Sequence, residues 1–412
     1  RGNEMPGPLD GVKVVEVAIW WFVPAAGAIL ADWGAEVIKV EHPETGDPQR
    51  ALFTSGLVPN TGGVNFMMEQ SNRGKKSIGI DLATDGGRDV LYDLVKDADV
   101  FLTNFLGPAR RRLKIDVEDI KAVNPAIVYA RGTGQGPEGP DADKGGYDAA
   151  SFWSRGGIGH AITPPHAESP VMQKAAFGDS IGAMTIAGGI AAGLLQKERT
   201  GEGPVVDISL LGTAMWVLGP DIVSSKLMEG AGSGSGIPSF TRKSMFNPLV
   251  NPYQTKDGRW LLLNMLQADL FWADVCRHID REDLIEDPRF ADGASRFEHR
   301  EACIAILDEE FAKFTLDEWK VKLDTMEGVW APMQSALELH DDPQAIANGY
   351  LPRLTTPEGV EFALVASPVQ FDQVSPTLTT HPEHGQHTEE ILLGMGMDWE
   401  RLAALKEDGS IL

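Results

Sequence analysis

Gly178-Asp179-Ser180 sets a carboxylate where chemistry is possible, at the predicted start of an apolar helix running through Ile181, Met184, Ile186 and Ile190 to Leu195. Unpaired backbone N–H groups and the helix dipole both favour an anion at such a start. Two readings follow. Asp is among the best N-capping residues, and a cap is a common role. The alternative is a carboxylate nucleophile, kept ionised by the helix and left accessible by Gly178, which has no side chain. The local sequence leaves both open.

Rival chemistries are poorly supported. His160, His166, His381, His384 and His387 are scattered, without the carboxylate spacing of a metal site, and read as surface or loop residues. Neither a G-x-S-x-G elbow nor a phosphate-binding P-loop occurs. Cys276 falls in a predicted helix beside Trp272 and reads as packed rather than nucleophilic. The run Gly230-Ala-Gly-Ser-Gly-Ser-Gly236 does not directly follow a strand and open a helix, so it reads as a linker rather than a dinucleotide fingerprint. By elimination, the candidate chemistry is carboxylate-based, at Asp179.

The elements that must position this carboxylate alternate along the first 210 residues. Strands are predicted at Val12–Val17, Glu36–Glu41, Ser77–Leu82, Asp99–Thr103, Ile127–Ala130 and Val205–Ile208, and helices at Pro24–Trp33, Gly87–Ala98 and Val117–Val123. Such alternation implies a parallel sheet covered on both faces, an α/β, Rossmann-like core. Beyond the glycine-rich run, a strand at Trp260–Asn264 and helices near 268–278 and 300–314 suggest a smaller α+β domain, and 393–405 reads as a terminal amphipathic helix.

Ligands of open parallel sheets bind beyond the carboxyl ends of the strands. That rule selects the loops at Ile19–Phe22, Glu41-His42, Asp81–Ala83, Asn104–Leu106 and Gly132 onward. Of the two basic runs, Arg110-Arg111-Arg112 follows the strand end at Asn104 and is a candidate for phosphate contacts. Arg73-Gly-Lys75-Lys76 precedes its strand, at the opposite edge, and Lys75 and Lys76 read as surface charge.

Composition bounds the rest. The chain has 412 residues, 42% hydrophobic and 23% charged, consistent with two globular domains. A net charge of −24 opposes nucleic acid and anionic membranes, though locally concentrated cations still permit an anionic ligand. No apolar run is expected to cross a bilayer, no signal-peptide pattern is seen, and two cysteines fit a reducing cytoplasm.

The motifs together resemble the class III CoA-transferases (the CaiB/BaiF family), which include the α-methylacyl-CoA racemases. The resemblance runs through Pro8-Leu-Asp-Gly-Val-Lys-Val14, Leu30-Ala-Asp-Trp-Gly-Ala-Glu-Val-Ile-Lys-Val-Glu41, Gly46-Asp47, Asn72–Ser77 and Asn104-Phe105. It continues with Gly178-Asp179-Ser180, Arg199-Thr-Gly201, Asp341-Asp-Pro-Gln344 and Gly385–Leu392, so it covers nearly the whole chain.

That resemblance implies a large Rossmann-like domain from residues 1–225 and 346–412, a small domain from 226–345, and an interlocked homodimer. It implies that Asp179 is the nucleophile, forming a mixed anhydride and then an enzyme-bound CoA thioester, with unpaired N–H groups nearby to stabilise the oxyanion. The partners implied are an acyl-CoA and a carboxylic acid. Coenzyme A enters as substrate and product, with no permanently bound cofactor and no metal. Arg112 and Leu113 match the family's residues for the nucleotide end, while Asn104, Phe105 and Leu106, and Gly146, Tyr147 and Asp148, match loops against the ligand. Trp21, Phe22, His42, Ile80 and Asp81 complete the implied contacts.

Departures from the family pattern bear on the substrate. His42 stands where relatives often carry Arg, and Ala83 where a Lys is sometimes found, so Arg110 or Arg111 is a candidate replacement for phosphate binding. The formyl-CoA:oxalate transferases have His and Gln where this chain has Ile19 and Trp21, and their small-domain glycine loop is replaced near Lys243–Asn247. An apolar Ile19–Phe22 segment favours a large apolar acyl group over oxalate; simple core packing of these aromatics is the alternative. A 2-methylacyl-CoA racemase is the nearest rival function, but the racemases carry His at the Tyr147 position, and Tyr is a poor base at neutral pH. A non-catalytic CoA-binding protein is the other alternative.

Overall fold

The structure, a computed structural model, describes residues 7–56, 61–164, 166–228 and 241–412. The N-terminal residues 1–6 and the glycine-rich run 230–236 lie outside the described residues. The chain divides into two compact units, Arg1–Ile222 with Gln344–Leu412, and Val223–Pro343.

The first unit is built on six strands, β1 (Lys13–Val17), β2 (Glu36–Glu41), β3 (Lys76–Gly79), β4 (Val100–Thr103), β5 (Val128–Thr133) and β6 (Val205–Ser209). All pair in parallel, in the order β3-β2-β1-β4-β5-β6, so the winding direction reverses between β1 and β4. β1 to β5 bury successive side chains, which point to opposite faces, as strands covered on both sides do.

The pleat sorts these side chains into two cores. Val14, Val37, Val100, Leu102, Val128 and Ala130 pack beneath the helices Phe22–Asp32 and Phe177–Thr200. Val15, Val17, Ile38, Val40, Phe101 and Tyr129 face the helix Asp85–Lys96 and the C-terminal segment through Ile391, Leu392, Leu402, Leu405 and Ile411. Thr84 caps Asp85–Lys96 by accepting from the Gly87 N–H, and that helix buries Val90, Leu91, Leu94 and Val95 at helical spacing.

Three sequence expectations are corrected here. Helix Phe177–Thr200 has 24 residues and a window of mean hydropathy 1.3, long and apolar enough by composition to span a bilayer, contrary to the expectation that no run is. In this fold it packs against Phe22–Asp32 and the sheet, burying Gly182, Ala183, Ile186, Ala187 and Ile190. The run Arg73–Lys76 is not a surface patch. Arg73 pairs with Asp32 at 2.7 Å and Lys75 with Glu16 at 2.8 Å, all four side chains buried, because the run passes beneath Phe22–Asp32 on its way into β3. Lys76 alone stands partly exposed, bridging Glu36 and Glu390. Finally, the terminal helix is two helices, Thr388–Gly394 and Trp399–Glu407, interrupted where Gly396 adopts a positive φ of 88°.

The second unit carries an antiparallel sheet of Val250–Gln254, Trp260–Asn264 and Trp330–Pro332, packed on helices Ala268–His278 and Arg300–Phe311. Cys276 and Cys303 are both free and buried in this core, and burial pushes each thiol up to about 12. Neither has the depressed pKa of a nucleophile.

Candidate active site

Where the sheet reverses direction, the loops after β1 and β4 diverge and leave a crevice. A cavity of about 350 Å³ lies there. Ile19, Trp20 and Phe22 line it from the loop after β1, Asn104, Phe105 and Leu106 from the loop after β4, and Gly132–Gly134 from the end of β5. Gly146 and Tyr147 form another wall, and Asp179 reaches in from the start of Phe177–Thr200. Asp179 is the one charged side chain, among the described residues, on a largely apolar lining whose other polar side chains are Asn104, Thr133 and Tyr147.

The local geometry removes one of the two readings of Asp179, the N-cap. Asp179 is the third residue of its helix; the cap position belongs to Ala176, which takes a left-handed conformation (φ 60°, ψ 22°) and makes no side-chain cap. The capping carboxylate comes from another segment. Asp148 is buried, and its Oδ2 accepts from the Gly178 N–H at 3.1 Å. The Gly178 N–H, one of the backbone donors beside Asp179, is therefore engaged.

Gly178 has a different use from the one expected. A Cβ there would collide with the Phe152 ring and the Asp148 carboxylate, so glycine is what lets the helix start approach both.

The electrostatics also depart from expectation. Burial, aided by the neighbouring Asp148 carboxylate, raises Asp179 from its ordinary 3.8 to about 7 rather than holding it ionised. Asp148 is raised by burial too, an effect opposed by the N–H groups of Asp179 and Gly178 and by Gln173. Two carboxylates with displaced pKa values at the mouth of one crevice form the pattern of a functional site.

The remaining predicted positions divide sharply. Phe22, Asn104, Phe105, Leu106, Gly146 and Tyr147 come together with Asp179 at the cavity, with Asp148 just behind. Tyr147 is 67% exposed and meets Trp20 edge-on, centroids 6.2 Å apart. Trp21 turns to the other side of the helix start, where its Nε1 donates to Ser180 Oγ at 3.1 Å, and lines a separate groove beside Met184 and residues 363–368.

Ile80, Asp81 and His42 are not brought to the cavity. Ile80 is buried and bridges Ile411; the Asp81 N–H donates to the Ser410 carbonyl; His42 is exposed, with its carbonyl bonded to His384. The returning C-terminus fills that end of the sheet. Arg112 is exposed and Leu113 packs on the core, both outside the cavity lining. Arg110 is no free phosphate ligand: it is buried, pairs with Asp116 at 3.0 Å and donates to the Phe105 carbonyl. Arg111 pairs with Asp143 at 3.0 Å.

Leu210 and Ala109 were not singled out in the sequence, and Trp20 was placed only as part of the apolar Ile19–Phe22 segment. Only Trp20 carried a signal, as one of two adjacent tryptophans at a strand end; the alternation of faces in a turn with φ 67° at Trp20 was not legible.

Comparison with known proteins agrees with this geometry. Residues 9–388 match the profile of CoA-transferase family III. The chain is 34% identical over 400 residues to the (R)-2-hydroxy-4-methylpentanoate CoA-transferase of Clostridioides difficile, covering 97% of this chain and 98% of the relative. It is 32% identical to the cinnamoyl-CoA:phenyllactate CoA-transferase of Clostridium sporogenes, covering 98% and 97%. A CaiB/BaiF family protein from Brucella suis superposes with a TM-score of 0.78 at 28% identity, over 95% of this chain and all of that one. A crevice at the sheet's reversal point holding a single carboxylate, together with these matches along the whole chain, establishes that the protein belongs to CoA-transferase family III.

Proposed function

We propose that the protein moves CoA from an acyl-CoA to a carboxylic acid through covalent intermediates on Asp179, with a bulky apolar acyl group. The observation that carries this reading is the position of Asp179 as the sole charged side chain, among the described residues, facing a largely apolar cavity. The Asp179 carboxylate attacks the thioester carbonyl; a C–O bond forms, the C–S bond breaks, and CoA leaves as thiolate. The thiolate attacks the aspartyl carbonyl of the mixed anhydride and expels the donor acid, leaving CoA as an aspartyl thioester. The acceptor carboxylate repeats the first step on that thioester. The released thiolate then attacks the acceptor's carbonyl, giving the new acyl-CoA and restoring Asp179. Protons balance without an external acid or base, because carboxylate and thiolate exchange roles at each step.

A pKa near 7 serves both halves of this cycle. It makes Asp179 a stronger nucleophile than an ordinary carboxylate, while a substantial fraction remains ionised at neutral pH. The apolar preference is supported by Ile19, Trp20, Phe22 and Leu106 around it, and by the relatives named for 4-methylpentanoate and cinnamoyl groups. Racemisation is disfavoured because the residue facing Asp179's cavity at the family's variable position is Tyr147, and no histidine lines the cavity among the described residues. The reading includes two interlocked subunits, to which the exposed Met215, Trp216 and Val217 would offer apolar contacts.

Oxygen tracing tests the chemistry. With acceptor carboxylate labelled with heavy oxygen, one label must pass into Asp179 in each turnover and appear in the donor acid over the turnovers that follow, whenever the labelled Asp179 oxygen is the one that attacks. Retention of all label in the acceptor and its CoA ester would exclude the aspartyl route.

A further inference from the structure

The turn after β1 is held by side chains at three successive residues, Ala18, Ile19 and Trp20. Lys39 Nζ donates to the Ala18 carbonyl at 2.8 Å. Asn104 grips Ile19 on both sides, its Oδ1 accepting from the Ile19 N–H at 3.1 Å and its Nδ2 donating to the Ile19 carbonyl at 2.6 Å. Asp47 Oδ1 accepts from the Trp20 N–H at 3.1 Å. Lys39 and Asp47 also pair with each other at 2.8 Å, with both side chains fully buried.

Such construction demands a reason. A buried ion pair is a weak source of stability, since desolvation consumes much of the attraction. What this pair fixes is unusual: Trp20 is a bulky residue with φ 67°, a left-handed conformation that persists only when its surroundings over-determine it. The ring so presented lines the cavity and meets Tyr147 edge-on. The pair is itself braced: Glu16 contacts Lys39 at 3.2 Å and Lys75 at 2.8 Å, and Glu41 Oε2 accepts from the Asp47 N–H at 2.9 Å. Asp47 also caps the short helix Pro48–Thr54 through the Gln49 N–H.

We propose that Trp20 sets the acyl specificity of the cavity and that the buried Lys39–Asp47 pair, two positioning residues, holds it in that strained orientation. The substrate class assigned is an acyl-CoA with a branched or aryl group that packs on the Trp20 ring. This inference rests on the CoA-transfer reading above. An apolar pocket gains or loses about 10- to 200-fold in discrimination per small apolar change.

The experiment measures kcat/KM for 3-phenylpropanoyl-CoA and for acetyl-CoA as donors, with 2-hydroxy-4-methylpentanoate as the common acceptor. Trp20→Gly removes the ring and accepts the left-handed backbone without strain, so it folds at least as readily as Trp20→Ala, which must carry the same φ. The expected result is a fall of about tenfold or more in the phenylpropanoyl-to-acetyl ratio for Trp20→Gly. Asp47→Asn, which removes the Asp47–Lys39 charge pair and leaves Lys39 to Glu16, lowers the ratio in the same direction. The double variant shows the ratio of Trp20→Gly alone, because the pair then has no ring left to position. An unchanged ratio in folded Trp20→Gly overturns the specificity role. Equal losses for both donors in Asp47→Asn, or additive effects in the double variant, overturn the positioning role. Should Asp47→Asn not fold, Trp20→Gly against Trp20→Ala decides, a Tm no higher for Gly arguing against strain held by the turn. A wild-type enzyme that transfers CoA from neither donor refutes the CoA-transfer reading instead.

Discussion

The two halves of the sheet's carboxyl edge are built from similar strands yet end differently. At the β1–β4 junction the following loops diverge and a cavity remains, floored by Asp179. At the β2–β3 edge, the same kind of strand ends are closed by returning chain. Ile411 bridges Ile80, the Leu412 N–H bonds the Gly79 carbonyl, and a Cβ on Gly79 would press into the Leu412 side chain. Both edges satisfy the rule that ligands sit beyond strand carboxyl ends. The difference teaches that the rule nominates positions, while the path of distant chain decides which stay open.

The contrast is broken most severely at its floor. Asp179→Ala should lower CoA transfer by about a thousandfold or more while leaving the fold intact, as read by turnover and circular dichroism. Residual transfer within tenfold of wild type would remove Asp179 from the chemistry.

Titration sharpens the same point. Because the reacting form is the carboxylate and burial has raised its pKa to about 7, kcat/KM should rise with pH and level off above that value. Stability should run the other way. The folded state keeps a proton that the unfolded chain loses near its ordinary 3.8, so stability falls as pH rises from about 4 to about 7. Asp179→Asn should accordingly gain a few degrees of Tm over wild type at pH 8 and none at pH 4. An equal Tm difference at both values would mean that burial does not perturb this carboxyl.

Next in size is Gly178→Ala. The added methyl collides with Phe152 and the Asp148 carboxylate, and overpacking of this kind costs about 1–3 kcal/mol. Denaturant unfolding measures the loss, and turnover should fall with it because the helix start shifts. Ile411→Ala, at the closed edge, should cost about 2–4 kcal/mol of stability while leaving KM for acyl-CoA within twofold.

The smallest effects separate the two edges directly. Arg112→Ala tests the nucleotide-end role that the family resemblance implies for this exposed residue: KM for acyl-CoA should rise by about five- to tenfold, with kcat kept. His42→Ala should change it less than twofold. A larger effect at His42 would show that CoA runs over the closed edge after all.

Much of this was legible in the residues. The short runs at Val14–Val17 and Val100–Thr103 read as buried strands, and their alternation with helices implied a parallel sheet. Asn104, Phe105 and Tyr147 were reachable because they follow strand ends or precede Gly178-Asp179. The basic runs were misread because a sequence shows charge but not its partners: Arg73, Lys75 and Arg110 are consumed by Asp32, Glu16 and Asp116.

The sequence by itself determined the elements, the family and the carboxylate, since these rest on local periodicity and ordered motifs. Tertiary structure alone decided that Asp148 rather than Asp179 caps the helix start, that burial raises Asp179, and that Trp20 rather than Trp21 enters the cavity. The physical reason is common to all three. Desolvation, charge pairing and the direction of a side chain are set by groups far away in the chain, and they exist only once those groups have been folded against one another.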